Sequence, residues 1–428
     1  MTARSLVRRF VVLRALRWLP LGVALPFLVL LPQDRGLGLG AIGLAWAVHG
    51  TVAIVLEVPS GGLADAIGRR TALILGGLLT SAGLTGLAVA RGLGGFVAAM
   101  VAIAAGRALM SGSLEAWFVD ELHTLDPGAA LHRPLAAGSM AEGLGSAAGA
   151  AIGGFVPLLA SGLPASGDAP LVELSLPMLV AGAAAAVYTV VVMRYVDEPP
   201  RRRGAGWRRA ARDAAVLSRD GIRLAGRSRD LRLLLAIAAS LGLVMAITEL
   251  LWQPRLEDLL DDGTSHAAPV FGILVAASMI AFSTGAASSA RIARWGGGRR
   301  AFVAAFVLLA ATLAALAIAP SAAPFCAAYL AFFAALGVAD PLYYAMLHDG
   351  ADSATRATIG SADGLALQVG GLGANLGLAP LAATAGIGVS WTIAALVAVG
   401  AAALGSLLAR GAAPVTPRRR PAAPSGAA

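Results

Sequence analysis

Residues 61–73 read GGLADAIGRRTAL, a short polar segment between two long apolar runs at 41–61 and 71–90. An α-helix needs about 20 apolar residues to cross a hydrocarbon core of ~30 Å. Glycine permits a tight turn, and Asp65, Arg69 and Arg70 would keep that turn in water. The segment therefore predicts two antiparallel membrane-spanning helices joined by a charged loop.

Equivalent apolar runs occupy most of the remaining chain. Hydrophobic residues make up 58% of the sequence, charged residues only 13%, and the mean hydropathy is +0.77. A soluble domain carries roughly 25% charged residues. We therefore predict an all-α membrane protein of twelve transmembrane helices. The predicted spans 1 to 12 are residues 11–31, 41–61, 71–90, 96–119, 138–160, 171–193, 231–252, 270–290, 301–319, 324–347, 359–382 and 389–408.

The arginines predict how these helices are oriented. All 33 basic residues are arginines, and most of them lie in the loops on one side. The loops on the other side contain only Arg35, Arg91 and Arg255. Because loops rich in Lys and Arg stay in the cytoplasm, both termini are predicted to be cytoplasmic, in a bacterial plasma membrane. The net charge of +9 does not indicate nucleic-acid binding, since the arginines form short clusters between apolar runs.

The chain divides into two halves of six spans, residues 1–193 and 231–410. A basic cytoplasmic linker at 194–230 joins them, and a disordered cytoplasmic tail is expected at 411–428. Apolar residues alternate with arginines in the linker, which fits either an amphipathic helix on the inner leaflet or a solvated loop.

The halves also repeat each other. Gly112 and Glu115 in span 4 recur as Gly337 and Asp340 in span 10, and Glu142 in span 5 recurs as Asp363 in span 11. Each match pairs a span with the one six places later. This register indicates a duplication, which is common among transporters.

The glycines, Leu63, Ala64, Asp65, the basic pair and Leu73 of the opening segment resemble motif A of the major facilitator superfamily, with Ala66 at one usually basic position. The resemblance implies two pseudo-symmetric six-helix bundles and extends over essentially the whole chain. It also implies a cytoplasmic gate in which Asp65 faces the start of span 11 and Arg69 pairs with Asp120. The gate residues it implies are Gly61, Asp65, Gly68, Arg69, Arg70 and Asp120.

Two further segments resemble bacterial multidrug and antibiotic efflux members of that superfamily. These are residues 56–61, LEVPSG, before motif A, and residues 111–117, SGSLEAW, in span 4. Span 5 carries a glycine series similar to the antiporter motif, with Ala150 where that motif has proline. The resemblance favours efflux, and Ala150 keeps uptake open.

Charged residues inside the spans are the predicted transport site, because such residues are costly in lipid. On a straight helix Arg107, Ser111 and Glu115 would form one stripe along span 4. In the superfamily fold, Glu115 and Asp340 would face each other across the central cavity. Either they exchange protons with Arg107 as a partner, or Arg107 and Glu115 form a permanent structural ion pair.

Other polar and aromatic residues are secondary candidates. Glu57, Glu142 and Asp363 suit either gate salt bridges or proton sites, and His49 suits a hydrogen bond to a neighbouring helix. Aromatic side chains beside the paired acids would suit a cavity wall for amphiphilic substrates. They are Trp117, Phe118, Tyr343 and Tyr344.

We predict a secondary transporter, not an enzyme, that moves a small hydrophobic or amphiphilic molecule together with protons by alternating access. Proton-coupled efflux is the first hypothesis, and uptake by a symporter or facilitator of the same fold is the alternative. A receptor or enzyme that does not transport would need a reactive cluster that the sequence does not contain. We expect a monomer in the lipid bilayer, with no metal, no cofactor and no nucleic-acid partner.

Overall fold

The computed structural model describes residues 2–160, 162–198, 228–260, 264–349 and 353–408, without the side chains of 57–62, 65–66, 264–266, 353–355 and 357. Every regular element in these ranges is helical. Twelve helices are long and apolar enough to cross a membrane, as predicted. They are Ala3–Phe27, Leu39–Leu56, Arg69–Val89, Gly92–Leu125, His132–Leu159, Ser175–Tyr195, Arg229–Asp258, Ala267–Gly296, Gly298–Ile318, Ala322–Leu347, Thr358–Ala385 and Ile387–Ser406.

An even number of spans places the start of span 1 and the end of span 12 on the same side. We call this the arginine-rich side, because the loop with Arg69 and Arg70 also lies there, and we call the other the opposite side. The helix of span 2 continues to Ile67 and that of span 8 begins at Thr264. Most of the linker and the whole tail lie outside the described residues.

Three spans are interrupted, each at residues that disfavour a continuous α-helix. Span 1 ends its α-helix at Ala24 and passes through a 3₁₀ turn at Leu25–Phe27 that contains Pro26, and a short helix at Leu30–Asp34 follows beyond the span. Span 11 runs from Ser353 to Gly373, contains a π-helical turn at Ala374–Leu378, and ends at Ala379–Ala385.

The interruption in span 4 overturns one expectation. The span is two helices, Gly92–Met110 and Ser113–Leu125, because Gly112 has φ +68° and Ser111 is extended. A residue with a side chain rarely adopts that φ, so Gly112 permits the break. The prediction of one straight stripe through Arg107, Ser111 and Glu115 is therefore wrong.

Within the first half, small residues let helix backbones touch. Gly145, Gly149 and Gly153 of span 5 lie against the backbone of span 1, where added side chains would collide with carbonyl groups. Close packing of this kind replaces the hydrophobic driving force that lipid cannot supply. At the arginine-rich end of the same half, Phe10 stacks on Phe118 with 4.1 Å between ring centroids.

The two halves meet on the opposite side. Gly154 at the end of span 5 lies against Gly272 of span 8, and a Cβ on Gly154 would lie 2.8 Å from the Cα of Gly272. Gly43 of span 2 lies against the backbone of Asn375 in span 11. Arg107 and Glu115 lie deep in span 4, yet Arg107 is exposed and the Glu115 side chain is half-exposed. The space between the halves is therefore closed on the opposite side and open towards the arginine-rich side.

Candidate functional site

The ionisable groups of the first half form an ion-pair cluster that the sequence did not predict. Arg14 of span 1 donates to Glu115 of span 4 at 2.7 Å and pairs with Glu142 of span 5 at 2.6 Å. Arg14 is only 8% exposed, whereas the Glu115 side chain is 46% exposed. One buried guanidinium thus holds two carboxylates, one of them accessible from the cavity.

The contacts of Arg14 also test the hypothesis that Arg107 and Glu115 form a permanent structural ion pair. A permanent pair between Arg107 and Glu115 is wrong, since Arg14 occupies the carboxylate and the break at Gly112 separates the two halves of span 4. Arg107 instead lines a cavity of about 230 Å³. The cavity is bounded by Arg17, Trp18, Ala53, Arg107, Ala108 and Ser111.

In the second half the structure places two predicted acids near each other. Asp363 of span 11 is buried and accepts a hydrogen bond from the hydroxyl of Tyr343 in span 10. Asp340, one turn before Tyr343, is close enough to Asp363 to interact electrostatically. A buried carboxylate in lipid needs such a donor, so the Tyr343 hydroxyl stabilises Asp363 where it lies.

The remaining secondary candidates have different surroundings. The His49 ring forms a hydrogen bond with the Met100 carbonyl at 3.1 Å, which fits a link between spans 2 and 4. The Glu57 side chain lies outside the described part of the chain. Trp117, Phe118 and Tyr343 are buried among helices, so the prediction that they form a cavity wall is wrong for these three. Tyr344 is 43% exposed.

The predicted gate at the arginine-rich side is partly described. Arg69 donates to Asp120 of span 4 at 2.5 Å, which is the pair expected from motif A. Gly68 has φ +95° and forms the turn between spans 2 and 3. The conformation of Gly68 explains why glycine stands there. The Gly61 and Asp65 predictions concern positions whose surroundings lie outside the described residues, so their role in a gate stays a prediction.

The same turn has partners that the sequence did not predict. Glu198, just after span 6, accepts a hydrogen bond from the backbone N–H of Arg70 at 2.9 Å. The Arg70 side chain donates to the Met193 carbonyl at 2.7 Å, and the Trp117 indole donates to the Asp197 carbonyl at 2.9 Å. The end of span 6 therefore ties spans 3 and 4 together at this face.

Several residues of the site were missed in the sequence. Arg14 and Arg17 fall inside predicted span 1, and their spacing of three residues places them on one helix face, which was a usable signal. Gln253 of span 7 carried no signal, because an uncharged amide near a helix end is ordinary. Its three hydrogen bonds to the backbone of the broken span 1 exist only in the folded protein.

The family model of the Major Facilitator Superfamily matches residues 10–375, which is most of the chain. The chain belongs to the Major Facilitator Superfamily. It is therefore a multi-pass membrane transporter rather than an enzyme, and its substrate is a small molecule. A search of curated proteins finds no match to the sequence.

Solved structures of superfamily transporters share the fold. The nucleoside transporter NupG superposes with a TM-score of 0.74 at 14% identity, over 94% of this chain and 98% of NupG. A bacterial homologue of the human lysosomal transporter Spinster, in an inward-facing and unoccupied conformation, gives 0.73 at 15%, over 95% and 96%. The human organic anion transporter MFSD10 gives 0.61 at 18%, over 95% and 100%. At these identities the likeness concerns the fold alone.

Proposed function

We propose that this protein is a proton-coupled transporter that exports a small amphiphilic molecule from the bacterial cytoplasm. The observation that carries the proposal is the Arg14 cluster, in which Glu115 is half-exposed to the cavity and also bound to a buried guanidinium. A carboxylate that exchanges between a bound cation and a proton can link protonation to the state of the cavity.

The steps follow from the cluster. When Glu115 is ionised, Arg14 bonds to both carboxylates. When Glu115 binds a proton, the attraction to Arg14 weakens, and Glu142 alone remains its charged partner at 2.6 Å. All three residues belong to the first half, so protonation would act on the charge facing the substrate rather than on a bridge between halves. Asp340 would titrate across the cavity in the second half.

Orientation and direction belong to the same proposal. The arginine distribution favours cytoplasmic termini, so the described conformation would open to the cytoplasm. Export is supported by the resemblance of residues 56–61 and 111–117 to efflux members, and by the glycine series of span 5 that packs on span 1.

Uptake is the second candidate. The antiporter motif has a proline where this chain has Ala150, and Ala150 lies fully buried where span 5 meets Gly272 of span 8. A helix without that proline keeps its backbone hydrogen bonds at the contact between halves. The structures it resembles include a nucleoside transporter and an organic anion transporter, whose names do not fix a direction for this chain.

The test is a susceptibility and uptake panel in a host lacking its own drug pumps, with and without a protonophore. Wild-type protein should lower the accumulation of at least one amphiphilic compound, and the protonophore should abolish that effect. Glu115→Gln should behave like the empty vector, while Glu121→Gln, on the same helix, should behave like wild type. Accumulation that rises on expression would favour uptake, and transport indifferent to the protonophore would refute proton coupling.

A further inference from the structure

Two arginines in the middle of the first half form no ion pair with any of the described residues. Arg17 of span 1 and Arg107 of span 4 line the same cavity of about 230 Å³. Within the described part of the chain neither forms an ion pair, whereas the neighbouring Arg14 forms two. A cation at this depth is costly unless it is compensated, so the pair requires an explanation.

Nearby acids compensate these charges only in part. Glu115 and Glu142 are close enough to Arg17 to interact with it, but their bonds are made to Arg14. The cluster therefore has three guanidinium groups for two carboxylates. The ring of His49, near Arg107, is bonded to the Met100 carbonyl and offers no negative charge.

Uncharged donors surround the same place. The indole N–H of Trp18, which lines the cavity, is buried without a hydrogen-bond partner among the described residues. The hydroxyl of Tyr188, close to Arg17, is also buried without one. Guanidinium and indole groups only donate hydrogen bonds, so what fits here is an acceptor with negative charge.

The second half has the reverse character. Among its described spans, the charged groups away from the membrane surfaces are acids: Glu249, Asp340 and Asp363. Asp363 is 3% exposed and Glu249 lies beside the buried Tyr329, so a molecule held between the halves meets cations on one side and mainly the part-exposed Asp340 carboxylate on the other. An anionic group would be drawn to the first half and repelled by the second, which fixes its orientation.

We propose that the substrate carries an oxyanion, a carboxylate, sulfonate or phosphate, and that Arg17 and Arg107 bind it in the cavity between spans 1 and 4. This inference rests on the proposed transport function and names its substrate class. The cavity of about 230 Å³ is smaller than most sites for drug-sized ligands, which are roughly 300–1,000 Å³. It therefore holds the anionic group and an adjoining ring against Trp18, while the rest of a larger molecule extends into the open space between the halves.

Binding to full-length protein in lipid nanodiscs, without any proton gradient, tests the site directly. The probes are 1-naphthoate, 1-naphthalenesulfonate and 1-naphthyl phosphate, each compared with neutral 1-naphthamide through tryptophan fluorescence. At least one anion should bind to wild type about tenfold more tightly than the amide, since hydrogen bonds to charged groups are the strong ones. Arg17→Gln and Arg107→Gln should each remove that preference, and Arg17→Lys should keep part of it.

Arg91→Gln is the matched control, because Arg91 is an exposed arginine just before span 4, outside the cavity that Arg17 and Arg107 line. Equal binding of the anions and the amide to wild type would overturn the proposal. An anion preference that survives in both Arg→Gln variants would also overturn it, and Arg107 would then have a role in proton transfer only. If the anion binds but transport ignores the proton gradient, the coupling proposal fails and the binding site stands.

Discussion

The side-chain oxygen of Gln253 in span 7 accepts a hydrogen bond from the backbone N–H of Val29, just beyond the break in span 1, at 2.9 Å. The same oxygen lies 3.4 Å from the N–H of Leu30, and the Gln253 amide donates to the Leu25 carbonyl at 3.1 Å. The 3₁₀ turn leaves these backbone groups without helical partners, and Gln253 satisfies them from the other half. Because Gln253 is 1% exposed, opening the opposite side must break a buried polar contact.

We predict that Gln253→Ala shifts the protein towards the form open on the opposite side. Loss of the amide leaves buried backbone groups unpaired, at a cost of about 1–3 kcal/mol, which corresponds to a shift of roughly 5–150-fold in the conformational equilibrium. Spin labels at Arg91→Cys and Ser321→Cys, both exposed at the opposite side, would report the distance between halves in a Cys326→Ser background.

The Gln253→Ala distance distribution should move to longer values than in wild type. Thr312→Ala serves as the control, because the Thr312 hydroxyl bonds only within its own helix, to the Leu309 carbonyl. An unchanged distribution for Gln253→Ala would mean that apolar contacts such as Phe27 with Phe271 close this side without the amide.

The Arg14 cluster predicts a non-additive loss of stability. Glu115→Gln or Glu142→Gln alone leaves Arg14 one charged partner, so each should cost about 1 kcal/mol or less. The double variant leaves a guanidinium that is 8% exposed without any carboxylate, and should cost about 3 kcal/mol or more. Thermal unfolding in detergent would measure this, and a double variant equal to the sum of the singles would contradict the shared cation.

Much of the fold was predictable because lipid imposes a length on every helix. Apolar runs of about 20 residues predicted twelve spans, and the arginine-rich loops predicted their orientation. The motif A residues between spans 2 and 3 indicated the family. The ion pair of Arg69 with Asp120 followed from motif A, and the structure contains it.

The site was harder to predict, because interruptions in helices are not visible as hydrophobicity. A single glycine at 112 turns the second part of span 4, so Arg107 lines a cavity while Glu115 turns towards span 1. The partners across spans, Arg14 with Glu142 and Tyr343 with Asp363, depend on which helices pack together. Helical periodicity orders residues along one helix and carries no information about its neighbours.

A third prediction concerns the gate on the arginine-rich side. Arg69→Ala removes the ion pair to Asp120, which is part-exposed, so we expect a stability loss of about 1 kcal/mol or less. If the pair also acts as a gate, Arg69→Ala should in addition slow the return between the two conformations. Labels at Thr124→Cys and Asp349→Cys would follow the distance between halves on this side. Asp120→Asn should reproduce the effect, and normal transport in both variants would leave the pair a purely structural role.

A fourth prediction tests the buried acid of the second half. Tyr343→Phe removes the donor to Asp363, which is 3% exposed, and should cost about 1–3 kcal/mol because the carboxylate loses its hydrogen bond. Adding Asp363→Asn should recover part of that loss, since a neutral amide needs less compensation. Tyr344→Phe is the matched control on the neighbouring residue, which is 43% exposed. Simple additivity of the Tyr343 and Asp363 changes would show that the two side chains act independently.

The last prediction concerns Asp34, which lies beyond span 1 on the opposite side. Burial raises the pKa of the Asp34 carboxyl from its ordinary 3.8 to about 7, with further increases from Glu257 and Glu173 and an opposing effect of Arg35. Glu257 belongs to the second half, so Asp34 faces it only while this side is closed. The closed form therefore holds a proton on Asp34 between about pH 4 and 7, whereas an open form that returns Asp34 to water releases it. A raised pKa in the closed form means that the closed form becomes less stable as pH rises through this window, and that its stability no longer changes above about pH 7.

The Arg91→Cys and Ser321→Cys label pair, measured from pH 5 to 8.5, should show the longer distance gaining population with pH in wild type. Asp34→Asn, which has no proton to lose, should remove that dependence and stay closed at high pH. A wild-type distribution that does not change with pH, or one that keeps its dependence in Asp34→Asn, would show that Asp34 does not control this closure.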